Sequence, residues 1–205
     1  ILLIHQIFVT PEQSGGTRHF EFAKFLVDQG HRVTVITSDV DYQAGREKAC
    51  SKPDIVGLTI FQLSSRRSVH SSFLSRALAF LLFSVSAFFK GMSIGDVDIV
   101  FGTSPPFFQL VAAACVATLK RKPFIFEVRD IWIDSLYPLG IVKHKFLLRP
   151  LKALEILLYK KADKVIANSP GIVSFINPYI DSDKIKVVPN GVATDDFLVK
   201  REDAR

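Results

Sequence analysis

Residues 1–37 read ILLIHQIFVTPEQSGGTRHFEFAKFLVDQGHRVTVIT, and this stretch decides the fold. The apolar residues of 1–9 predict a buried strand. Apolar residues at helical spacing over 17–29, followed by Gly30, predict a helix, and 33–37 predicts a second strand. A strand, a helix and a strand in this order form a βαβ unit, which is typical of a doubly wound parallel sheet.

Strand and helix patterns alternate along the rest of the chain. Further strands are predicted at 56–63, 98–102, 123–128, 164–167 and 185–188, and further helices at 73–89, 106–119, 146–161 and from 168 onward. We expect Gly91 and Gly95 to end the first of these helices, Pro106 to begin the second and Pro150 to break the third. The polar stretches 38–53 and 64–72 are interpreted as surface loops. The alternation predicts an α/β, Rossmann-like parallel sheet with helices on both faces.

The composition fits one α/β domain with anionic partners. The chain has 205 residues, of which 48% are hydrophobic, enough for a packed core. Its net charge of +6 suits phosphates or an acidic membrane surface, and no dense Lys/Arg run of the nucleic-acid-binding kind is present. Only Cys50 and Cys115 occur, without a C-x-x-C pair, so a reducing, cytoplasmic compartment is predicted.

The loop between the first strand and the first helix is a candidate anion site. Gly15 and Gly16 lack Cβ atoms, so the backbone can adopt a positive φ and a ligand can approach closely. Thr17 is a suitable N-cap, and the N–H groups of the helix that follows favour an anion such as a phosphate. Arg18 places a positive charge in the first turn, where the helix dipole disfavours it. A contact between Arg18 and a bound anion would explain this position. A tight turn without a ligand is the alternative, because the G-x-G-x-x-G motif is absent.

Polar residues also follow three other predicted strands. In open α/β sheets, ligands bind beyond the carboxyl ends of the strands. That rule selects Thr103, Ser104, Arg129, Asp130 and Asn168. Asp130 is the candidate for acid/base catalysis or a substrate hydroxyl, and Arg129 for a bidentate phosphate contact. A local ion pair or a helix cap is the alternative for these two residues.

Other chemistries are not indicated by the sequence. No two of the five His have metal-ligand spacing, so no metal site is predicted. His19 falls in the first turn after the Gly-Gly loop; we expect it on the surface of the helix, and the alternative is that it lines the site. Neither the G-x-S-x-G motif nor the Walker lysine motif occurs, which argues against hydrolases of those kinds.

Several of these segments together resemble one family of enzymes. The Gly-Gly loop, the segment 30–37, and the segment 187–192 with Phe197 resemble retaining glycosyltransferases of the GT-B fold, family 4. The segments 103–106 and 126–132 resemble the WbuB-like bacterial subgroup that builds surface polysaccharides such as lipopolysaccharide. The resemblance covers nearly the whole chain.

The resemblance implies two Rossmann-like domains with the active site between them. Residues 1–190 would be the amino-terminal, acceptor-side domain and 191–205 the start of the interdomain linker. The second domain, absent from this chain, would bind the nucleotide-sugar donor. Gly15 and Gly16 would face the donor diphosphate, and Asp130 falls where many members carry a His that contacts the transferred sugar. The implied reaction retains the anomeric configuration, uses the nucleotide sugar as co-substrate and needs no cofactor or metal.

Three interpretations of function are therefore open. The first is the acceptor-binding half of a glycosyltransferase that acts on a glycan or lipid-linked acceptor and is inactive without its second half. The second is a stand-alone Rossmann-like module that binds a nucleotide or a phosphorylated metabolite. The third is half of a GT-B-like sugar epimerase or phosphorylase.

The segment 77–89 predicts a helix that is apolar on almost every face. Only Ser84 and Ser86 offer polar groups to water, and the segment is too short to span a bilayer. Basic residues flank it, namely Arg66, Arg67, Arg76 and Lys90. We predict contact with an anionic membrane, peripheral on the inner face of the plasma membrane, and the lipid-linked acceptors of the family add a reason. The alternative is a helix buried on both sides.

Overall fold

The structure, a computed structural model, describes residues 1–13, 15–41, 46–47, 55–65 and 73–191. The strands are β1 (Leu2–Ile4), β2 (Val33–Ser38), β3 (Val40–Asp41), β4 (Arg46–Glu47), β5 (Leu58–Leu63), β6 (Val100–Ser104), β7 (Phe124–Val128), β8 (Lys164–Ala167) and β9 (Ile185–Val187). Within the described ranges, seven of them form one parallel sheet in the order β5-β2-β1-β6-β7-β8-β9. The short strands β3 and β4 pair antiparallel.

Helices alternate with the parallel strands, so the predicted α/β Rossmann-like fold is confirmed. They are α1 (Arg18–Asp28), α2 (Phe73–Ser93), α3 (Phe108–Lys120), α4 (Trp132–Ser135), α5 (Arg149–Lys161) and α6 (Pro170–Ile176), with 3-10 turns at Lys145–Leu148 and Ser182–Lys184. Gly30 follows α1 with a φ of +87°, and its N–H donates to the Val27 carbonyl at 2.8 Å. A glycine in this position ends a helix without steric strain.

Each face of the sheet has its own apolar core, because alternate residues of a strand point to opposite faces. On one face, buried residues of α2, α3, α5 and α6 pack together with the inward residues of most strands. On the other face, α1 packs Phe20 and Ala23 against Leu3, Val35 and Phe101. The helices therefore lie on both faces, but unevenly.

The first strand is shorter than predicted, since β1 ends at Ile4 instead of continuing to residue 9. The physical reason lies at Gln6. Its backbone N–H donates to Gln109 Oε1 at 2.6 Å, and its carbonyl accepts the hydroxyls of Thr37 and Ser38. The carbonyl also accepts the Ser38 backbone N–H at 3.2 Å, whereas the Gln6 N–H is satisfied by a side chain of α3, so the regular ladder of β1 ends before Gln6.

Two predicted helix boundaries are wrong, and one is confirmed. Gly91 lies inside α2, because the missing side chain allows close packing: a Cβ there would lie 2.9 Å from Val116 Cγ2. Pro106 precedes α3, which begins only at Phe108. Pro150 marks the predicted break, since it lies in the first turn of α5, where its missing N–H is not needed.

Some predicted features lie outside the described residues. They are Ser14 of the Gly-Gly loop, most of the loops at 38–53 and 64–72 with Arg66 and Arg67, and the tail from 192 onward.

Gly102 on β6 marks the closest approach of α3 to the sheet. A Cβ at this position would lie 2.8 Å from Ala113 Cβ and 3.1 Å from Leu110 Cδ2. We expect Gly102→Ala to lower the free energy of unfolding by about 1–3 kcal/mol, because α3 must shift away from the sheet. Urea denaturation measures the change. Gly95→Ala, whose added Cβ meets no atom within 4 Å, is the control. Equal midpoints for the two variants would contradict tight packing at Gly102.

Candidate active site

The carboxyl ends of neighbouring strands bring the predicted polar residues together. Ser104 pairs with Val128, and Val128 with Ala167, so the ends of β6, β7 and β8 are level. Just beyond them, the Arg129 N–H donates to the Ser104 carbonyl at 3.2 Å, and the Asn168 N–H donates to the Val128 carbonyl at 3.3 Å. Three of the predicted groups therefore line one edge of the sheet.

The two glycines of the Gly-Gly loop play different roles. Gly15 has a φ of +135°, which side-chain-bearing residues rarely adopt, and a Cβ there would lie 3.3 Å from Val9 Cγ2. The backbone of Gly16 is not in the positive-φ region, and no atom lies within 4 Å of where its Cβ would be. The expected backbone constraint thus belongs to Gly15, whereas Gly16 leaves open space.

A buried carboxylate on β7, that of Glu127, joins the elements of this edge. Its Oε2 lies 2.6 Å from His19 Nε2 and accepts the Thr103 hydroxyl at 2.7 Å. Its Oε1 accepts Arg18 Nη2 at 2.8 Å and Nε at 3.1 Å. Glu127 and His19 are each only 3% exposed, so water does not compete for these bonds. Strands β6 and β7 are thereby tied to the first turn of α1, directly after the Gly-Gly loop.

Arg18 also holds the chain that leaves the last strand. Its Nη1 donates to the Pro189 carbonyl at 2.8 Å, and its Nη2 donates to the Val188 carbonyl at 3.0 Å. With the two bonds to Glu127, these contacts engage all three guanidinium nitrogens. Arg18 therefore connects the start of α1 to the segment after β9, and its charge is balanced within the protein.

The electrostatics of the cluster favour an ionised Glu127 beside a neutral His19. Burial raises the pKa of the Glu127 carboxyl, but hydrogen bonds from His19, Thr103 and Arg18 outweigh it and lower that pKa to about 2. Burial lowers the pKa of His19. A neutral ring that carries its proton on Nε2 can donate to the carboxylate, while Arg18 supplies the compensating charge.

The Arg129 guanidinium lies at this edge, and only part of its hydrogen-bonding capacity is used by the described residues. Its Nε donates to the Ser104 carbonyl at 3.2 Å and its Nη2 to the Pro105 carbonyl at 2.7 Å. Burial lowers its pKa, while the charges of Glu127 and Asp130 raise it. Among the described residues, Nη1 has no hydrogen-bond partner. A guanidinium held in this way can present that edge to an anion.

Asp130, the predicted catalytic residue, is exposed. It does not cap α4, whose N-cap is Ile131 without a side-chain bond, and within the described residues it forms no ion pair with Arg129. Neither structural alternative for Asp130 is therefore realised. Asn168 is half-buried at the end of β8. In the described part of the chain, no group of three or more His, Cys, Asp or Glu side chains is arranged to hold a metal ion.

Sequence motifs alone did not identify His19 and Glu127 as members of the buried cluster. His19 was expected on the helix surface, but it is buried against Glu127. One signal for Glu127 is present in the sequence, because it is the only charged residue in the apolar strand Phe124–Val128. A charge at a buried strand position requires partners, and only the fold shows which residues supply them.

These features fit one family of proteins. The family model described as Glycosyltransferase Family 4 matches residues 14–196, which is most of the chain. The chain therefore belongs to glycosyltransferase family 4. No protein with a curated description matches it.

Solved structures with a similar fold include Alr3699/HepE of Anabaena. The match to its complex with UDP and glucose has a TM-score of 0.56 at 18% identity. The match to its complex with UDP-glucose has a TM-score of 0.54 at 17% identity. Both cover 95% of this chain but only 45% and 44% of HepE, so the chain spans less than half of that protein. At this identity the likeness shows the fold alone.

The buried carboxylate predicts a specific loss of stability in acid. The pKa of Glu127 is about 2 in the folded chain against an ordinary value of 4.5, so the ionised group stabilises the fold above pH 4.5. This stability is lost as the pH falls towards 2. We expect Glu127→Gln to lower the free energy of unfolding by about 3 kcal/mol at neutral pH, because Arg18 then lacks its partner.

The same variant should also flatten the pH dependence of stability between pH 4.5 and about 2. Urea denaturation at stepped pH values measures both effects, with the exposed Glu21→Gln as the matched control. An acid slope identical to that of the wild type would show that Glu127 is not the titrating group.

Proposed function

We propose that residues 1–190 are the acceptor-binding half of a glycosyltransferase and that 191–205 leads towards a donor-binding domain. The complete enzyme would transfer a sugar from a nucleotide-sugar donor to a glycan acceptor with retention of anomeric configuration. Family membership supports the transferase class, and HepE, solved with UDP-glucose, supports a nucleotide-sugar donor. The WbuB-like subgroup, and with it a role in surface polysaccharide or lipopolysaccharide synthesis, rests on the segments 103–106 and 126–132.

The observation that carries this proposal is that the first N–H groups of α1 are free to bind a ligand and lie near Arg129. The Thr17 side chain makes no capping bond, so the first N–H groups of α1 remain available to a ligand. Gly16 leaves space in front of them. Helix N–H groups, the helix dipole and the free edge of a guanidinium together suit a diphosphate.

The neighbouring polar residues would position this loop instead of contacting the donor. The N–H groups of Arg18 are directed to Glu127 and to two backbone carbonyls, and the Thr103 hydroxyl is directed to Glu127. Ser104 contributes its carbonyl to Arg129. In the proposal, these three residues hold the Gly-Gly loop and Arg129 in place.

Asp130 would contact the acceptor or the transferred sugar. It is exposed at the end of β7 and makes no side-chain hydrogen bond with the described residues, so its carboxylate is free to accept from a sugar hydroxyl. Asn168 lies at the next strand end and would extend the same polar edge. The proposed reaction uses no metal or other cofactor.

A transfer assay on the complete protein tests the proposal. We expect Gly16→Val to fold like the wild type, because its side chain meets open space, but to lose about a hundredfold in kcat/KM by blocking the diphosphate. Asp130→Asn should lose roughly tenfold or more without loss of stability. Asp181→Asn, another exposed carboxylate, is the matched control.

The outcomes of this assay also separate the competing functions. The 205-residue chain alone should be inactive, and chelators should leave turnover by the complete protein unchanged. Wild-type kcat/KM in Gly16→Val would remove the Gly-Gly loop from the active site. Nucleotide binding without any transfer would favour a binding module, and conversion of the nucleotide sugar without an acceptor would favour an epimerase.

We further propose that α2 contacts the anionic inner surface of the plasma membrane. One face of α2 is buried through Ala79, Phe83 and Ala87, so the helix is not enclosed on both sides. Its opposite face exposes large apolar side chains at helical spacing: Leu78, Leu81, Leu82, Val85 and Phe89. We call these five residues the α2 stripe. A contiguous apolar face of this kind on a surface helix suits a lipid interface.

The structure changes two details of the α2 prediction. Ser84 does not face water, since its hydroxyl donates to the Phe108 carbonyl at 2.6 Å. The helix is also longer than predicted, and within the described residues Ser75–Ser93 alone is long and apolar enough to cross a membrane. Because one face packs along α3, attachment in the plane of the surface fits better than a span.

Vesicle sedimentation tests the membrane contact of α2. We expect the chain to bind vesicles that contain phosphatidylglycerol, and the triple variant Leu81→Ser, Val85→Ser, Phe89→Ser to bind at least about tenfold more weakly, because apolar area is lost. Leu157→Ser with Phe175→Ser removes comparably exposed side chains from α5 and α6 and is the control. No binding by the wild type would defeat the membrane proposal.

A further inference from the structure

Two long stretches of the chain contain no acidic residue. None of the 20 Asp and Glu residues lies at 55–95 or at 135–154. The first stretch contains α2, and the second contains the segment between α4 and α5. A protein surface binds anionic lipid more strongly when it has few carboxylates, since like charges repel. The sequence thus marks a second segment with the same charge pattern as α2.

This second segment also exposes apolar side chains where a soluble loop would be polar. Leu139 is 70% exposed at the tip of a turn, next to Gly140 with a φ of +68°, and Ile141 is 45% exposed. Lys143 and Lys145, both exposed, follow within a few residues. Apolar tips followed by lysines are typical of segments that insert shallowly between lipid headgroups.

A cavity joins the two segments. It has a volume of about 220 Å³ and is lined by Arg76, Ala77 and Phe80 from α2, and by Phe108, Trp132, Leu136 and Ile141 from across the groove. Its walls are apolar except for Arg76, which is exposed. The turn that carries Leu139 and Ile141 is fixed to this wall, because the Ile141 N–H donates to the Leu136 carbonyl at 3.0 Å. The turn and the start of α2 therefore form one continuous surface.

This surface lies on the side of the candidate active site. Ser84 contacts Phe108 at the start of α3, and Lys120 at its end bonds the carbonyls of Met92 and Ile94. The part of α2 before Ser84 therefore extends beyond α3, by roughly 15 Å at 1.5 Å per residue. Because α3 starts just after the carboxyl end of β6, this extension passes the edge that carries the candidate site.

We infer that Leu139, Ile141 and the lysines after them are a second membrane contact, which together with α2 orients the candidate active site towards an anionic bilayer. Leu139 and Ile141 would enter the headgroup region while Lys143, Lys145 and Arg76 meet lipid phosphates. Trp132 lines the cavity between the two segments and would therefore lie at the lipid interface. This inference rests on the proposed membrane contact of α2 and is independent of the transferase chemistry.

Trp132 is a built-in probe, because it is the only tryptophan of the chain. The experiment titrates the 205-residue chain with phosphatidylcholine vesicles that contain phosphatidylglycerol, with and without brominated acyl chains. We expect a blue shift of Trp132 emission, quenching by the brominated lipids and protection from aqueous iodide. Vesicles of phosphatidylcholine alone should produce a much smaller change, because they lack negative charge.

Variants of the second segment separate its role from that of α2. Leu139→Ser with Ile141→Ser should weaken vesicle binding by about tenfold, because apolar area is lost. It should also abolish the quenching of Trp132. Lys143→Gln with Lys145→Gln should weaken binding by about fivefold per lysine and flatten the dependence on phosphatidylglycerol. The Leu157→Ser, Phe175→Ser control should behave like the wild type, and far-ultraviolet circular dichroism checks that each variant is folded.

Every outcome bears on one of the two membrane contacts. Vesicle binding that the Leu139 and Ile141 substitutions do not change, with Trp132 still accessible to iodide, would overturn the second contact and leave α2 as the only one. No vesicle binding by the wild type would overturn both. Concentration-dependent dimerisation that the same substitutions abolish, without vesicle binding, would show that the surface joins two copies of the chain and would also overturn the inference.

Discussion

The rest of the candidate site depends on one buried carboxylate, that of Glu127. A charge removed from water is costly unless donors surround it, and here His19, Thr103 and Arg18 provide them. The donors come from α1 and β6, so the carboxylate determines where α1 begins relative to the sheet. Through Arg18, it also determines where the backbone runs after β9. The loop that would meet the diphosphate is thus held by charge as well as by apolar packing.

Side chains also satisfy the irregular backbone around this edge. Gln109 accepts from the N–H of Gln6 and donates to the Thr103 carbonyl, and Arg129 donates to the carbonyls of Ser104 and Pro105. Loops tied in this way can hold a defined shape without secondary structure. Within the described ranges, no hydrogen-bond partner engages the N–H groups at the start of α1, one edge of Arg129 or the carboxylate of Asp130. Those groups face the edge where strand ends of an α/β sheet bind ligands.

The apolar residues of α2 serve two purposes that hydropathy alone does not separate. Phe83 and Ala87 complete the core beneath the helix, whereas Leu81 and Phe89 remain exposed. Burial of the first pair follows from packing against α3, but the exposure of the second pair has no structural purpose in the described chain. The turn at Leu139 shares this property, which is why we propose a lipid interface for both segments.

The sequence by itself determined the fold class, because the period of apolar residues and the position of Gly30 act locally. It also selected Gly15, Arg129 and Asp130 as residues of one edge, since the order of strands and helices places strand ends together. It did not determine the partner of Arg18, the burial of His19 or the length of β1. These depend on contacts between residues far apart in the chain, such as Arg18 with Glu127 and Gln6 with Gln109. Only the tertiary structure decides them, because local patterns carry no information about which distant group satisfies a buried charge or a backbone N–H.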